Sequence, residues 1–181
     1  RQLFGNDSTQ SLSKENFLAG FFAALDDKAL ASVDSASMYV NTKAEEIRTK
    51  AIEAQYADYK KENEAFLAEN KSKEGVKTTA SGLQYKVITE GKGEVPTAES
   101  RVKVNYKGTL IDGTEFDARE GMTFSAGHVI KGWTEALTMM PVGSKWELYV
   151  PQELAYGSSA TGKIKPFSTL IFEIELLEIE K

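Results

Sequence analysis

The chain has 181 residues, 41% of them hydrophobic and 27% charged, with a formal net charge of -5, no cysteine and a single histidine, His128. An acidic balance disfavours a general nucleic-acid binder, and the lack of cysteine removes thiol catalysis, disulfides and thiolate metal sites. One histidine cannot build a multi-histidine metal centre, and no apolar run approaches the ~20 residues of a membrane-spanning helix.

Taken in chain order, the composition steps sharply in the mid-seventies. Residues 21–74 contain neither glycine nor proline, while all four prolines and 12 of the 14 glycines lie from Gly75 onward. A breaker-free stretch rich in Ala, Glu and Lys is helical, and a glycine-dense stretch with alternating apolar runs is β-rich. This places a helical domain with a connecting helix over 1–74 and a strand-rich domain over 75–181. A first helix is predicted over 15–25, capped by Ser11 or Ser13, with Phe17, Leu18, Phe21, Phe22 and Leu25 on its apolar face. A second begins near Val33, carries Met38 and Tyr39, bends near Asn41 and runs on through 44–72. The apolar positions of that long segment are sparse: Ile47, Ala51, Ala54, Tyr56, Tyr59, Phe66 and Leu67. Such a helix would be ~42 Å long and would bury little of its length, as helices that bridge domains or stand in solvent do. The aromatic residues before it are too much apolar surface for a lone helical hairpin, so a homodimer through residues 1–74 is expected.

After Gly75, Leu83, Tyr85 and Val87 alternate with Gln84 and Lys86, predicting a strand with one buried face. The next strand sets Val102, Val104, Tyr106 and Gly108 against Arg101, Lys103, Asn105 and Lys107. Asp112-Gly113 is a hairpin signal, and the return strand carries Glu115, Phe116 and Asp117. Val129, Ile130, Trp133 and Leu137 have helical spacing and predict one short helix, ended by Pro141 and Gly143. Strands follow with Trp146, Leu148 and Val150, and with Leu170, Phe172, Ile174 and Leu176, on their buried sides. The fold class is therefore α+β: an antiparallel β-sheet wrapped around one short helix, preceded by an all-α segment.

The inward-facing candidates are Tyr106, Phe116, Phe124, Val129, Ile130, Trp133, Tyr156 and Phe172, with Asp117 and Tyr156 as the polar members. Aromatic walls with few polar groups suit an apolar ligand or side chain. Neither paired carboxylates nor a nucleophile–base pair is present for hydrolysis, and no phosphate loop, dinucleotide fingerprint or Gly-x-Ser-x-Gly elbow appears. No metal and no cofactor are expected. Each residue also has a plainer reading: Trp133, Tyr106 and Phe172 as core, Asp117 as a cap or a partner of Arg119, and His128 as exposed and without a role.

The segments NYKGTLIDGTEFDA, HVIKGWTEALTMMPVGSK, VPQELAYG and TLIFEIELLEI resemble the FKBP-type peptidyl-prolyl cis-trans isomerases over residues 82–181. The helical segment and the entry FLAENKSKEGVKTTASGLQYKVITEGKG resemble the bacterial macrophage-infectivity-potentiator-like branch, whose members carry an N-terminal helical dimerisation domain. The resemblance implies isomerisation of Xaa-Pro bonds in unfolded or partly folded polypeptides, with chaperone activity of the dimer. A holdase whose isomerase activity is incidental is the alternative. By motif position, Trp133 would be the pocket floor, Tyr106, Phe116 and Phe172 its walls, and Val129 and Ile130 one side. Met122, Phe124 and Ile164 would complete the substrate-binding set. The Ile130 N–H and the Tyr156 hydroxyl would hold substrate carbonyls, and Asp117 would orient substrate and Tyr106 from the rim. The loop 158–168 departs from the family's apolar pattern at Lys165 and Phe167, which leaves open the binding of macrolides such as FK506 or rapamycin and the preference at the residue before proline. The start at Arg1 reads as a processed product from the periplasm or outer membrane, with the cytoplasm as the alternative.

Overall fold

Backbone and fold are described here for residues 33–180 of a computed structural model, with side chains from residue 41 onward. The predicted helix over 15–25 lies outside the described residues, as do the side chains of Met38 and Tyr39. The chain divides into two compact units, Arg1–Ile52 and Glu53–Lys181.

Helix α1, Val33–Gln55, supplies the described part of the first unit. It runs unbroken past Asn41, where a bend is expected from sequence; one asparagine in a helix interior costs only tenths of a kcal/mol and does not break it. The interruption falls at Tyr56 instead, whose φ of -110° and ψ of 17° leave the helical region before α2, Ala57–Asn70, begins. Ile47 on α1 is exposed, and Lys43–Glu46 at 2.7 Å is a pair three residues apart on the helix.

The second unit is built on a six-stranded sheet in the order β1-β2-β5-β6-β3-β4, with every neighbouring pair antiparallel. The strands are β1 Val76–Thr78, β2 Gln84–Thr89, β3 Arg101–Leu110, β4 Glu115–Ser125, β5 Lys145–Val150 and β6 Leu170–Glu180. The short β1 is not evident from sequence; its three residues hold their place by pairing with Gln84, Tyr85 and Lys86. Directly opposed residues share a face. Leu148 opposes Phe172, Trp146 opposes Ile174 and Val150 opposes Leu170, so these six form one apolar surface. Against it packs helix α3, Lys131–Leu137, through Trp133, Ala136 and Leu137. The helix is shorter than its apolar spacing suggests. Val129 and Ile130 precede it, and Ile130 is its extended N-terminal flank at φ -59° and ψ 148°.

The outer face of the sheet is not uniformly wet. Gln84 opposes Tyr149, and both are buried, at 4% and 8% exposure. Alternation alone places Gln84 on the solvent side of β2. Helix α2 covers it: Gln84 Nε2 donates to the Leu67 carbonyl at 2.8 Å, Asn70 Nδ2 donates to Gln84 Oε1 at 3.0 Å, and Phe66 meets the Tyr149 ring at 6.2 Å. The compact unit thus begins at Glu53, earlier than the compositional step at Gly75, because α2 packs on the sheet with a face made of amides and rings.

Candidate active site

Trp133 lies on the inward side of α3, 4% exposed, and three rings meet it edge-on. Tyr106 from β3 approaches at 5.0 Å and 81°, Phe124 from β4 at 5.6 Å and 85°, and Phe172 from β6 at 5.1 Å and 80°. Phe116 of β4 meets Phe172 at 5.5 Å and 87°. Edge-to-face packing is favourable because a positive ring edge meets a negative ring face, by about 0.5–1.5 kcal/mol per pair beyond burial. Five aromatic residues from three strands and one helix therefore fix one another in one cluster around Trp133, called the aromatic cup below.

The helix is held in place at two points. Thr134 Oγ1 donates to the Ala126 carbonyl at 2.8 Å, tying α3 to the end of β4. Gly132 has no side chain where a Cβ would come within 2.5 Å of Val150, so the helix approaches β5 closely. Gly108 plays the same part on the wall, since a Cβ there would lie 2.6 Å from the Phe116 ring and 2.9 Å from the Phe172 ring. The sequence signal for this is a glycine in the buried register of an otherwise bulky strand.

At the rim the polar groups are few. The Tyr106 hydroxyl donates to Asp117 Oδ2 at 2.5 Å. Burial, and then the hydrogen bond to Asp117, push the Tyr106 phenol up to about 12, so it stays protonated and remains a donor. The other carboxylate oxygen of Asp117 faces Arg119 Nε at 3.5 Å, across an exposed pair. Asp117 thus serves Arg119 and Tyr106 at once. Tyr156 follows the 3-10 turn Gln152–Leu154 and is 39% exposed. The Ile130 carbonyl accepts from Trp133 N–H at 2.9 Å and Thr134 N–H at 3.1 Å, which starts the helix. Its own N–H precedes the helix and takes no part in that ladder.

Of the residues singled out from sequence, Tyr106, Phe116, Asp117, Phe124, Trp133 and Phe172 are joined by these contacts, and Val129 and Ile130 pack beside them at the core edge. Ile164 is 6% exposed and belongs to the core; the loop turns it inward through the bridge to Thr161. Met122 stands apart, 38% exposed on β4 opposite Val104. His128 is exposed, with Nδ1 3.0 Å from Ser125 Oγ. A second concavity, of about 410 Å³, lies by the outer face beside Asn105, Lys107, Lys145, Glu173 and Glu175. There Lys145 pairs with Glu173 at 2.8 Å and the Asn105 amide donates to Glu175 at 2.9 Å, so it lacks the apolar character of the cup. Among the described residues no cluster of metal-ligating side chains occurs, and no helix is long and apolar enough to cross a membrane.

Comparison with known proteins agrees with this fold. Residues 92–177 match the family described as FKBP-type peptidyl-prolyl cis-trans isomerase, and residues 2–87 match the domain amino terminal to it. The chain is 46% identical over 187 residues to the FKBP-type 22 kDa peptidyl-prolyl cis-trans isomerase of Escherichia coli, covering 98% of this chain and 89% of that one. It is 51% identical over 127 residues to the outer membrane protein MIP of Legionella longbeachae, covering 67% of this chain but only 54% of that one. Among solved structures, FkpA of Escherichia coli superposes with a TM-score of 0.69 at 37% identity, over 93% of this chain and 83% of that one. A peptidyl-prolyl cis-trans isomerase of Pseudomonas syringae pv. tomato superposes with a TM-score of 0.67 at 41% identity, over 70% of this chain and 96% of that one.

Proposed function

The chain belongs to the FKBP-type peptidyl-prolyl cis-trans isomerases, and from that premise we propose how its aromatic cup turns an Xaa-Pro bond. Rotation about the amide is slow because it breaks resonance, with a barrier of about 18–20 kcal/mol. No bond is made or broken, so the enzyme need only bind the twisted amide better than the planar one. Twisting reduces the negative charge on the carbonyl oxygen, and a desolvated apolar site penalises the twisted form less than the planar form. The proline ring rests on Trp133, between Tyr106, Phe116 and Phe172, with Phe124, Val129 and Ile130 bounding the cup. The Ile130 N–H and the Tyr156 hydroxyl donate to substrate carbonyls, and Asp117 keeps the Tyr106 ring oriented through its hydroxyl. A million-fold acceleration requires about 8 kcal/mol, within reach of orientation, desolvation and two hydrogen bonds.

The observation that carries this reading is the set of three rings standing edge-on to Trp133 beneath the Tyr106–Asp117 bond. The test is NMR exchange of an Ala-Leu-Pro-Phe-type peptide with the whole chain and with the double variant Tyr156→Phe, Asp117→Val. Fast cis/trans exchange that the double variant loses supports the roles assigned. A folded variant that exchanges the peptide as fast as the parent removes Tyr156 and Asp117 from the mechanism.

The same reading extends to the rest of the chain. A homodimer through residues 1–74 is supported by the match of residues 2–87 to the family's amino-terminal domain. Two cups held apart in one dimer would grip unfolded polypeptides and act as a chaperone. The apolar cup also suits macrolides such as FK506 and rapamycin. A location in the periplasm or at the outer membrane is supported by the likeness to an outer membrane protein.

A further inference from the structure

The return of the loop over residues 158–168 is bound to helix α2 at every residue from Lys165 to Thr169 except Pro166. The Tyr59 hydroxyl lies 3.0 Å from Ser168 Oγ, which itself donates to the Lys165 carbonyl at 2.8 Å. Asn63, 2% exposed, accepts the Thr169 N–H on Oδ1 at 2.7 Å and donates from Nδ2 to the Tyr59 carbonyl at 2.8 Å. Lys60 Nζ stands 5.0 Å from the Phe167 ring, and Lys165 Nζ stands 5.3 Å from the Tyr59 ring, so each element places a cation over an aromatic face of the other. Phe167, 3% exposed, holds φ at 64°, a conformation that persists in a bulky residue only where its surroundings fix it. Its N–H donates to the Gly157 carbonyl at 2.8 Å. Gly157 is the next residue after Tyr156, and the loop it opens carries the inward-turned Ile164.

We propose that Tyr59 and Asn63 are positioning residues for the isomerase site: by fixing residues 167–169 they fix Gly157, and with it the placement of Tyr156 and Ile164. The connecting helix then sets how the site receives the residue before proline. This rests on the role given above to Tyr156.

The test uses the full chain with Asn63→Ala, Tyr59→Phe and Asn70→Ala. Asn70 is a second buried amide of the same helix, but it holds Gln84 of β2 and not the loop, so it controls for loss of helix docking. Amide hydrogen exchange at Phe167 and Thr169 reads the brace itself. Peptide exchange kinetics, with the residue before proline varied, read its effect on the site. The expected result is faster amide exchange and a KM raised about three- to tenfold, the scale of one weakened hydrogen bond, in Asn63→Ala. Tyr59→Phe gives the same effect in weaker form, with kcat little changed in both and an altered ranking of the peptides. Asn70→Ala leaves KM and ranking at parental values. Unchanged amide exchange in the first two variants, unchanged KM and ranking despite faster exchange, or an equal kinetic loss in Asn70→Ala would each overturn the proposal. Parental kinetics in Tyr156→Phe would instead remove the role of Tyr156 on which it rests, with the amide-exchange result still standing.

Discussion

Gly108→Ala tests whether the cup wall depends on an absent side chain. The added Cβ would lie 2.6 Å from two atoms of the Phe116 ring and 2.9 Å from the Phe172 ring. Neither ring can yield freely, because Phe116 and Phe172 pack on each other at 5.5 Å and Phe172 packs on Trp133 at 5.1 Å. Overpacking of this kind costs about 1–3 kcal/mol, while replacing a strand-interior glycine returns about 0.5–1 kcal/mol of backbone entropy, leaving a net loss between about zero and 2.5 kcal/mol. Urea unfolding measures that loss, and NMR exchange of an Xaa-Pro peptide measures the effect on the site, where displaced walls should raise KM. Adding Phe116→Leu removes the clash, so the double variant should regain part of the stability while peptide affinity stays low; the coupling between the two positions is the quantity of interest. A Gly108→Ala protein with parental stability and parental KM would refute the claim that this glycine makes room for the rings.

Alkaline titration probes the rim. The Tyr106 phenol is raised from 10.0 to about 12, so its contribution to stability is complete below pH 10 and is lost as the pH rises toward 12. Asp117→Val removes one of the causes and should move one tyrosine ionisation, followed by ultraviolet absorbance, back toward its ordinary value. Phe167→Gly relieves a φ of 64° but deletes a ring that is 3% exposed. Relief of about 1–2 kcal/mol is outweighed by the about 3–5 kcal/mol lost with the buried ring, so denaturant unfolding should show a net loss. Binding of FK506 or rapamycin at the cup should perturb Trp133, and Trp133→Leu should abolish the fluorescence response that Trp146→Phe preserves.

Alternation made the sheet legible: the buried faces of β3, β5 and β6 follow from Val102 to Gly108, Trp146 to Val150 and Leu170 to Leu176 taken every second residue. The cup was legible because its rings sit in those same buried registers, next to a tryptophan at helical spacing. What stayed hidden was carried by residues that hydropathy scores as surface. Asn63 and Asn70 are among the most buried side chains described, yet a segment of lysine, glutamate and asparagine reads as a solvated helix. Their burial depends on long-range partners, Thr169 and Gln84, that no local pattern announces. Alternation puts Gln84 on the wet face for the same reason, although it is 4% exposed. Three-residue spacing to Trp133 places Ile130 in the helix and does not reveal its extended ψ of 148°.

The strand order has a consequence for how this chain comes off the ribosome. β6, the last strand in sequence, lies between β5 and β3 and pairs with both along its length. Before residues 170–180 have emerged, β1-β2-β5 and β3-β4 are two separate ribbons, each with an inner edge of unpaired backbone groups. The floor of the cup has been synthesised by then, but the Phe172 wall has not, and no partial chain can close the sheet. The native sheet therefore forms only once residues 170–180 are available, and until then its two inner edges stay open to pairing with other chains.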